Sequence, residues 1–436
     1  DNPSTDAIFA IRQVTLLCSK VNLKCTDRRT KRAFARFIEC EQEVKKFDLE
    51  LSHACKSDFS RISQLLWGEV LSRVDEEIYL GNITPKHGPG ATADKLRGNS
   101  KFKQRDWPDR LEDMFPSGDY IFPNWRYYNA TEVNFLEPGQ ELPVKVTPVP
   151  KTLKTPRIIA IEPTCMQYMQ QGISELLTDA IPRFDNRGRI IGDSLELDKQ
   201  SFVGFKSQER NQDLAREGSQ LGNLATLDLS DASDRVSNQH VRLMLSHHPH
   251  LRDAVDACRS RKADVFGHGV IRLAKFASMG SALTFPIEAM VFLIIIFLGI
   301  EKVLNRRLTF NDIKSFKGRV RVFGDDIIVP KEFAEAVVNT LHTFGYVVNV
   351  GKSYWNGKFR ESCGKEYYDG VDVSVVRIRQ KLPTHRRDAK ETISTVELRN
   401  HLYKRGLWHS AGILDKIIGR IIPYPSVSEE SPVLGK

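Results

Sequence analysis

The chain has 436 residues, 41% hydrophobic and 27% charged, with 64 Lys and Arg against 55 Asp and Glu and a formal net charge of +9. This is an ordinary globular composition with length for two to four units and a large core, and the absence of repeats or long low-complexity stretches excludes a solenoid or a biased tail. Seven cysteines, an odd number with no Cys-x-x-Cys spacing, argue against a disulfide framework or zinc ribbon and suit a reducing cytoplasm.

Residues 1–80 read mainly as helices, with a basic cluster at Arg28, Arg29, Lys31 and Arg32. The apolar stretch near Ala7 is broken by Arg12 and Gln13, so no signal-peptide pattern is expected, and the missing initiating Met predicts that the first residues are trimmed. Residues 81–150 are rich in Gly, Pro and Asn and predict loops and short strands. Pro143, Pro148 and Pro150 predict an extended approach to a basic phrase. That phrase carries Lys151, Lys154 and Arg157 ahead of an apolar run. Lys neutralises a triphosphate as a point charge and Arg grips it bidentately, although a solvated basic loop has the same composition. Residues 165–182 predict a helix.

Leu224 to Ser230 reads as a strand carrying Asp228 near its end, followed by a Ser/Asp-rich turn and helix start with Asp231, Ser233 and Asp234. His247, His248 and His250 are interrupted by Pro249 and predict a surface loop rather than a metal site. Ser278, Gly280 and Thr284 precede the apolar segment Ala289 to Ile300. Gly280 permits close backbone approach by a ligand, and the two hydroxyls can bond a sugar or a template backbone. The apolar segment is too short to cross a bilayer and predicts a buried helix.

Val320 and Val322 on one side, and Ile327 to Val329 on the other, predict two strands joined by a tight turn at Gly324-Asp325-Asp326. Adjacent carboxylates repel, and a hard divalent cation relieves that conflict; an exposed acidic turn is the plain alternative. Asp228, 97 residues before Asp325, supplies a third carboxylate. Three carboxylates suit two cations held roughly 3.5–4 Å apart for phosphoryl transfer. Beyond the turn, a helix is predicted at 331–343, a strand at Gly345 to Val348, and helices at Thr392 to Arg405 and Ala411 to Ile421. From Arg377 to Arg420 there are eleven Lys/Arg against four Asp/Glu, which suits a surface tracking nucleic acid. Pro423 and Pro425 predict a flexible tail.

These phrases, taken in order, carry a resemblance. Asp228-x5-Asp234, Ser278-x-Gly280-x3-Thr284 and Gly324-Asp325-Asp326 resemble motifs A, B and C of viral RNA-directed RNA polymerases. Asp228-Leu-Ser-x-Ala232-Ser233-Asp234, Ser278-Met279-Gly280, Gly324 to Pro330, Phe359 to Gly364 and Gly370 to Val373 resemble the replicase catalytic subunit of single-stranded RNA bacteriophages of the Q-beta type. The resemblance covers about residues 145–375 and is weaker on both sides. The chain is short for this family, so peripheral insertions are expected to be missing. It departs from relatives at Phe323, often Tyr; at Asp231, which replaces a small residue; at Ala282 and Pro286; and at Glu288, where many eukaryotic-virus polymerases use Asn to read the ribose.

The resemblance implies an α+β right-hand polymerase whose palm is a small antiparallel sheet backed by helices. Fingers with an N-terminal helical region are expected at 1–218, the palm at 219–375 with a helical excursion at about 238–275, and the thumb and tail at 376–436. It implies template-directed RNA synthesis by two-metal nucleotidyl transfer. Asp228, Asp325 and Asp326 would hold two Mg²⁺ ions, with Mn²⁺ able to substitute and the Leu229 carbonyl completing one shell. Lys151, Lys154 and Arg157 resemble motif F and would meet the nucleotide. Lys352 resembles the motif D general acid, with a phosphate contact or a plain surface lysine as alternatives. Ser233 and Asp234, assisted by Ser278 or Thr284, would select the ribose, although Asp234 equally suits a cap or an ion pair with Arg235 or Arg321. Phe359 to Gly364 resembles motif E, with Cys363 a packed thiol rather than a nucleophile. The implied partners are RNA template and product, ribonucleoside triphosphates, host elongation factors Tu and Ts and a ribosomal protein, with no membrane, in the cytoplasm of the infected bacterial host. A reverse transcriptase and a non-catalytic RNA-binding assembly protein with a polymerase-like core are the competing readings.

Overall fold

The computed structural model describes residues 3–122, 124, 126, 132–152, 155–183 and 195–436. Lys154 lies outside the described residues.

The chain opens with helices α1 (Thr5–Leu16), α2 (Asp27–Glu50) and α3 (His53–Tyr79). Ser4 and Ser52 cap α1 and α3 by accepting from the amides of Ala7 and Cys55. Loops and short pieces follow, including a parallel pair of three-residue strands, Asp106–Pro108 and Asn134–Leu136. Then come β1 (Val144–Val149), β2 (Arg157–Ile161), α4 (Thr164–Arg183) and α5 (Glu209–Leu221). The middle of the chain holds β3 (Leu224–Ser230), α6 (Asn238–Met244), α7 (Pro249–Cys258), β4 (Lys262–Val265), β5 (Gly269–Arg272) and α8 (Thr284–Leu304). The remainder comprises β6 (Arg321–Phe323), β7 (Asp326–Pro330), α9 (Ala334–Thr343), β8 (Val347–Val348), β9 (Phe359–Ser362), β10 (Lys365–Tyr368), α10 (Ala389–Lys404) and α11 (Trp408–Gly419).

Two compact units result, one of residues 1–33, 148–157 and 371–436, the other of residues 34–147 and 158–370. The larger is built on an antiparallel sheet in the order β8-β3-β7-β6. Its strands are short and rich in Val, Ile and Leu because both faces are covered. Helix α8 supplies much of that cover: every residue from Pro286 to Ile300 is buried. A helix apolar all round has no solvent face, and this one belongs to a single cluster with Phe59 and Leu66 of α3, Val337 and Leu341 of α9, and Ile327 and Val329 of β7. The expected α+β class, with a small antiparallel sheet backed by helices, is what these elements form. A second sheet runs β2-β1-β4-β5, with β1 parallel to β4. β9 and β10 form a hairpin.

In the smaller unit α10 and α11 pack through Val396, Leu402, Leu414 and Ile418. Arg399 grips Asp415 with two bonds of 2.8 and 3.1 Å.

Several expectations need correction. The segment at 238–275 is only half helical: after α6 and α7 it becomes the β4–β5 hairpin, where Ala263 and Val265 are buried and alternate with Lys262 and Asp264 at period two, and Gly267 and Gly269, both at positive φ, turn the chain. His248 is not on a surface loop; it is 3% exposed and immediately precedes α7, whose first residue is Pro249. The stretch after Pro423 is tied back, with the Lys436 amide donating to Pro425 O (2.9 Å) and the Val427 amide to Lys436 O (3.0 Å). The helix predicted at 331–343 begins as a 3-10 turn at Lys331–Phe333 before α9.

Candidate active site on the central sheet

The register of the central sheet builds the site. β3 and β7 run antiparallel with Leu227 opposite Ile327 and Asp228 directly opposite Asp326. Directly opposed residues have Cα atoms about 4.5–5.5 Å apart, so the two carboxylates share one patch despite their distance along the chain. Asp325 is in the turn between β6 and β7. Gly324, the other central residue of that two-residue turn, has φ +60°, as a two-residue hairpin with Gly first requires. A Cβ at Gly324 would also come within 2.7 Å of the Phe285 ring.

The neighbours of Asp228 come from the segment after β8. Asn349 donates from its amide nitrogen to Asp228 O (2.8 Å) and from Nδ2 to Oδ2 (3.0 Å). Ser353 Oγ accepts from the Asp228 amide (3.0 Å). Lys352 Nζ lies 3.5 Å from Asp228 Oδ1. Across the sheet, Ser362 Oγ approaches Asp326 Oδ1 at 3.4 Å and Asn211 Nδ2 approaches Asp326 O at 3.5 Å. Asn211 is held in turn by the buried Arg321, whose Nε donates to Asn211 Oδ1 (2.9 Å).

The electrostatics follow from that crowding. Burial, then the charges of Asp325 and Asp228, push the Asp326 carboxyl up to about 6. Burial also raises Asp228, reinforced by Asp325 and opposed by Lys352. For Lys352, burial pulls the ammonium down, but Asp228 and Glu361 outweigh it and the net shift is upward. Among the described residues no three His, Cys, Asp or Glu side chains form a ready-made metal cage. The donor set nevertheless fits a hard cation: three carboxylates act on one another there, burial and then their mutual repulsion raise two of them, and Lys352 partly screens Asp228.

The predicted ribose group divides. Ser233 Oγ donates to Glu288 Oε2 (2.7 Å), and burial pushes the Glu288 carboxyl up to about 8, with Ser233 opposing and Asp325 and Asp234 reinforcing. Asp234 is ion-paired with neither Arg235 nor Arg321. Its partner is the fully buried Lys275, whose Nζ is 2.9 Å from Asp234 Oδ1 and 3.4 Å from Glu41 Oε1, with the Phe37 ring 3.3 Å away. Arg235 bonds Glu43 and Gly345 O instead, and Arg36 Nε contacts Asp231 at 3.3 Å. The turn after β3 is thus braced along one face by α2.

Ser278 and Thr284 are buried, and Thr284 Oγ1 donates to Ser278 O (2.9 Å). Gly280, with φ +135°, does permit close backbone approach, but by the protein itself: a Cβ there would lie 1.9 Å from Ala160 O. Leu229 packs its side chain into the core beside Asp228. Burial pushes the Cys363 thiol far up, as a packed thiol requires. Lys151 and Arg157 are exposed and belong to the smaller unit, whereas the three carboxylates belong to the larger. Asn211, Asn349, Ser353, Glu41 and Lys275 were missed as site neighbours. Only Asn349 and Ser353 carried a signal, as flanks of Lys352; the others are brought in by packing alone.

Comparison with known proteins identifies the family. Residues 142–387 match the family model described as RNA replicase, beta-chain, and the chain belongs to that family. It is 34% identical over 371 residues to the RNA-directed RNA polymerase subunit beta of Enterobacteria phage SP, covering 80% of this chain and 57% of that one. It is 35% identical over 238 residues to the corresponding subunit of Escherichia virus Qbeta, covering 55% of this chain and 36% of that one. The chain therefore spans between about a third and three fifths of the length of these relatives. A solved structure titled as the BmCPV RNA-dependent RNA polymerase at elongation state aligns with TM-score 0.48 and 12% identity over 83% of this chain and 33% of that one. No helix among the described residues is long and apolar enough to cross a membrane.

Proposed function

We propose that this chain catalyses template-directed RNA synthesis on phage RNA, as the catalytic part of a replicase. The observation carrying the reading is the placement of Asp228 opposite Asp326, beside Asp325, in a chain of the replicase beta-chain family. Asp228, Asp325 and Asp326, with the Leu229 carbonyl, would hold two Mg²⁺ ions, for which Mn²⁺ could substitute. Bound there, the ions would lower the pKa of the attacking 3′ hydroxyl and neutralise charge developing on the phosphates.

The chain's own residues have separate tasks. Asn349 and Ser353 fix the Asp228 backbone and one carboxylate oxygen, so the opposite oxygen faces Lys352. Lys352 gives a proton to the leaving pyrophosphate; Asp228 and Glu361 keep its ammonium charged, so the proton is present at neutral pH, although they also make it a weaker acid. Ser233, oriented by Glu288, meets the ribose, and Asp234 is a positioning residue clamped by Lys275. Ser278, Gly280 and Thr284 shape the wall behind the nucleotide rather than touching it. Lys151, Lys154 and Arg157 neutralise the triphosphate. In this reading residues 1–218, 219–375 and 376–436 act as fingers, palm and thumb. RNA and ribonucleoside triphosphates are the substrates, elongation factors Tu and Ts and a ribosomal protein the host partners, and the cytoplasm of the infected bacterium the site of action.

The test is incorporation of labelled ribonucleotides on an RNA template by purified chain, with and without bacterial lysate, and with Mg²⁺ present or chelated. Mg²⁺-dependent products complementary to the template are expected, with deoxyribonucleotides poorly used. RNA binding without extension, even with lysate, would favour a non-catalytic assembly protein.

A further inference from the structure

A cavity of about 730 Å³ lies in the larger unit, between the end of α2, the start of α3, α6, the end of α7 and the β5 strand. None of its lining residues is among the proposed catalytic or nucleotide-binding residues. Six cations line it: Lys45, Lys56, Arg242, Arg259, Arg261 and Arg272. Only two carboxylates, Asp48 and Asp256, face them. The whole chain is much closer to balance, 64 basic to 55 acidic residues, so this excess is local.

The two carboxylates are already committed. Asp256 is shared between Arg242 (3.3 Å) and Arg261 (2.9 Å). Asp48 accepts from Ser237 Oγ (2.6 Å), and burial raises its carboxyl. Arg259 is a wall element: its guanidinium donates to the carbonyls of Phe276 (2.7 Å), Leu273 (3.1 Å) and Lys275 (2.6 Å). Lys45 and Arg272 are exposed and have no acidic partner among the described residues. Like charges crowded on a concave wall raise its potential and concentrate anions there.

The geometry points to a second, sequence-independent contact for the sugar–phosphate backbone of single-stranded RNA in this cavity, separate from the catalytic centre. Cations supplied by separate elements around a broad mouth match phosphates repeated along a strand better than one compact anion, for which donors would have to converge. The lining contains no Phe, Tyr or Trp, so it offers no platform for base stacking and reads backbone alone. Asn238 and Gln239 also line it, and their amides can both donate to and accept from a ribose 2′ hydroxyl. The choice of RNA over other polyanions rests on the replicase reading above; the charge and shape of the cavity do not.

The test uses the full chain and a labelled oligouridylate, which has no secondary structure, with affinity measured by anisotropy over a series of salt concentrations. Lys45→Ala/Arg272→Ala removes two exposed cations and leaves the fold unchanged, as a thermal melt verifies. The variant is expected to bind several-fold more weakly, with a log–log salt slope shallower by about 1.4, two contacts at about 0.7 each. Lys45→Glu/Arg272→Glu should weaken binding further, and Lys45→Arg/Arg272→Lys should restore it. Unchanged affinity and slope in both the alanine and the glutamate pairs would overturn the proposal. So would competition by inorganic pyrophosphate as effective, per phosphate, as the oligonucleotide, which would mark a compact-anion site. Loss of polyglutamate binding with RNA affinity intact would overturn it in favour of an acidic protein. If the slope falls as expected but no chain extends a template, the contact stands and the polymerase reading fails. If the chain extends a template but the slope does not move, the polymerase reading stands and the contact fails.

Discussion

Asp228 and Asp326 occupy directly opposed positions on neighbouring antiparallel strands, with no residue between them. Like charges so placed destabilise a strand pair, and the Asp326 carboxyl, raised to about 6 by burial first, then by Asp325 and, less, by Asp228, is disfavoured as a charge there. In the function proposed above the pair trades stability for a site, and substitution should separate the two.

Asp326→Asn is expected to stabilise the metal-free chain at pH 7 by roughly 1–3 kcal/mol, and so to raise its thermal midpoint, since it removes a disfavoured charge. Mg²⁺ should then no longer stabilise the chain, because ligand-linked stabilisation needs the ligand site. Asp325→Asn should abolish extension while RNA affinity stays within a few-fold. Calorimetry with and without Mg²⁺, beside an incorporation assay, reads all three; normal turnover in Asp325→Asn would remove that residue from the site.

Lys352→Ala should lower kcat by about 10²–10⁴, the range for general acid catalysis, with KM for nucleotides little changed. A rise in KM at constant kcat would reassign Lys352 to phosphate binding. Steady-state kinetics with the four nucleotides distinguish the two.

Gly280→Ala should cost about 3–5 kcal/mol, since it adds a Cβ 1.9 Å from Ala160 O at a backbone conformation that side chains rarely adopt. Urea unfolding measures this directly. A variant of normal stability would mean that the β2 segment yields easily to the loop before α8.

His240 is buried against Tyr346, its Nδ1 3.2 Å from the Tyr346 hydroxyl, and burial lowers its pKa from 6.5 to about 4. Between those values the unfolded chain binds a proton that the folded chain refuses. The contribution of His240 is therefore complete above about pH 6.5 and is lost as pH falls toward 4, by roughly 3 kcal/mol. Buried Glu162, raised to about 7, has the opposite slope, because its folded form holds a proton that the unfolded chain releases. The test is thus a difference: His240→Gln should flatten the loss of stability from pH 6.5 to 4 relative to the parent. Parallel curves would show that His240 does not titrate differently in the two states.

The strands bearing the acids were legible because β3, β6 and β7 are short apolar runs bounded by turn residues, and α8 because its apolar run outlasts any strand. Helices α10 and α11 lie within a few residues of their expected limits. What stayed hidden was long-range partnering. Asp234 announced an ion pair, but Lys275 is 41 residues away and nothing local marks it. Gly280 announced a close approach, but a sequence does not say whether ligand or backbone arrives. His248 looked exposed because its neighbours are polar, yet the packing of α7 buries it.

Helix α8 has one more consequence. It leaves the ribosome before β6, β7 and α9, the very pieces that later enclose it. During that interval a sticky cylinder, apolar from Ala289 to Ile300, is on display, and such surfaces seed aggregation. Yield in a foreign host should therefore depend on slower translation at low temperature or on chaperones that shield the nascent chain.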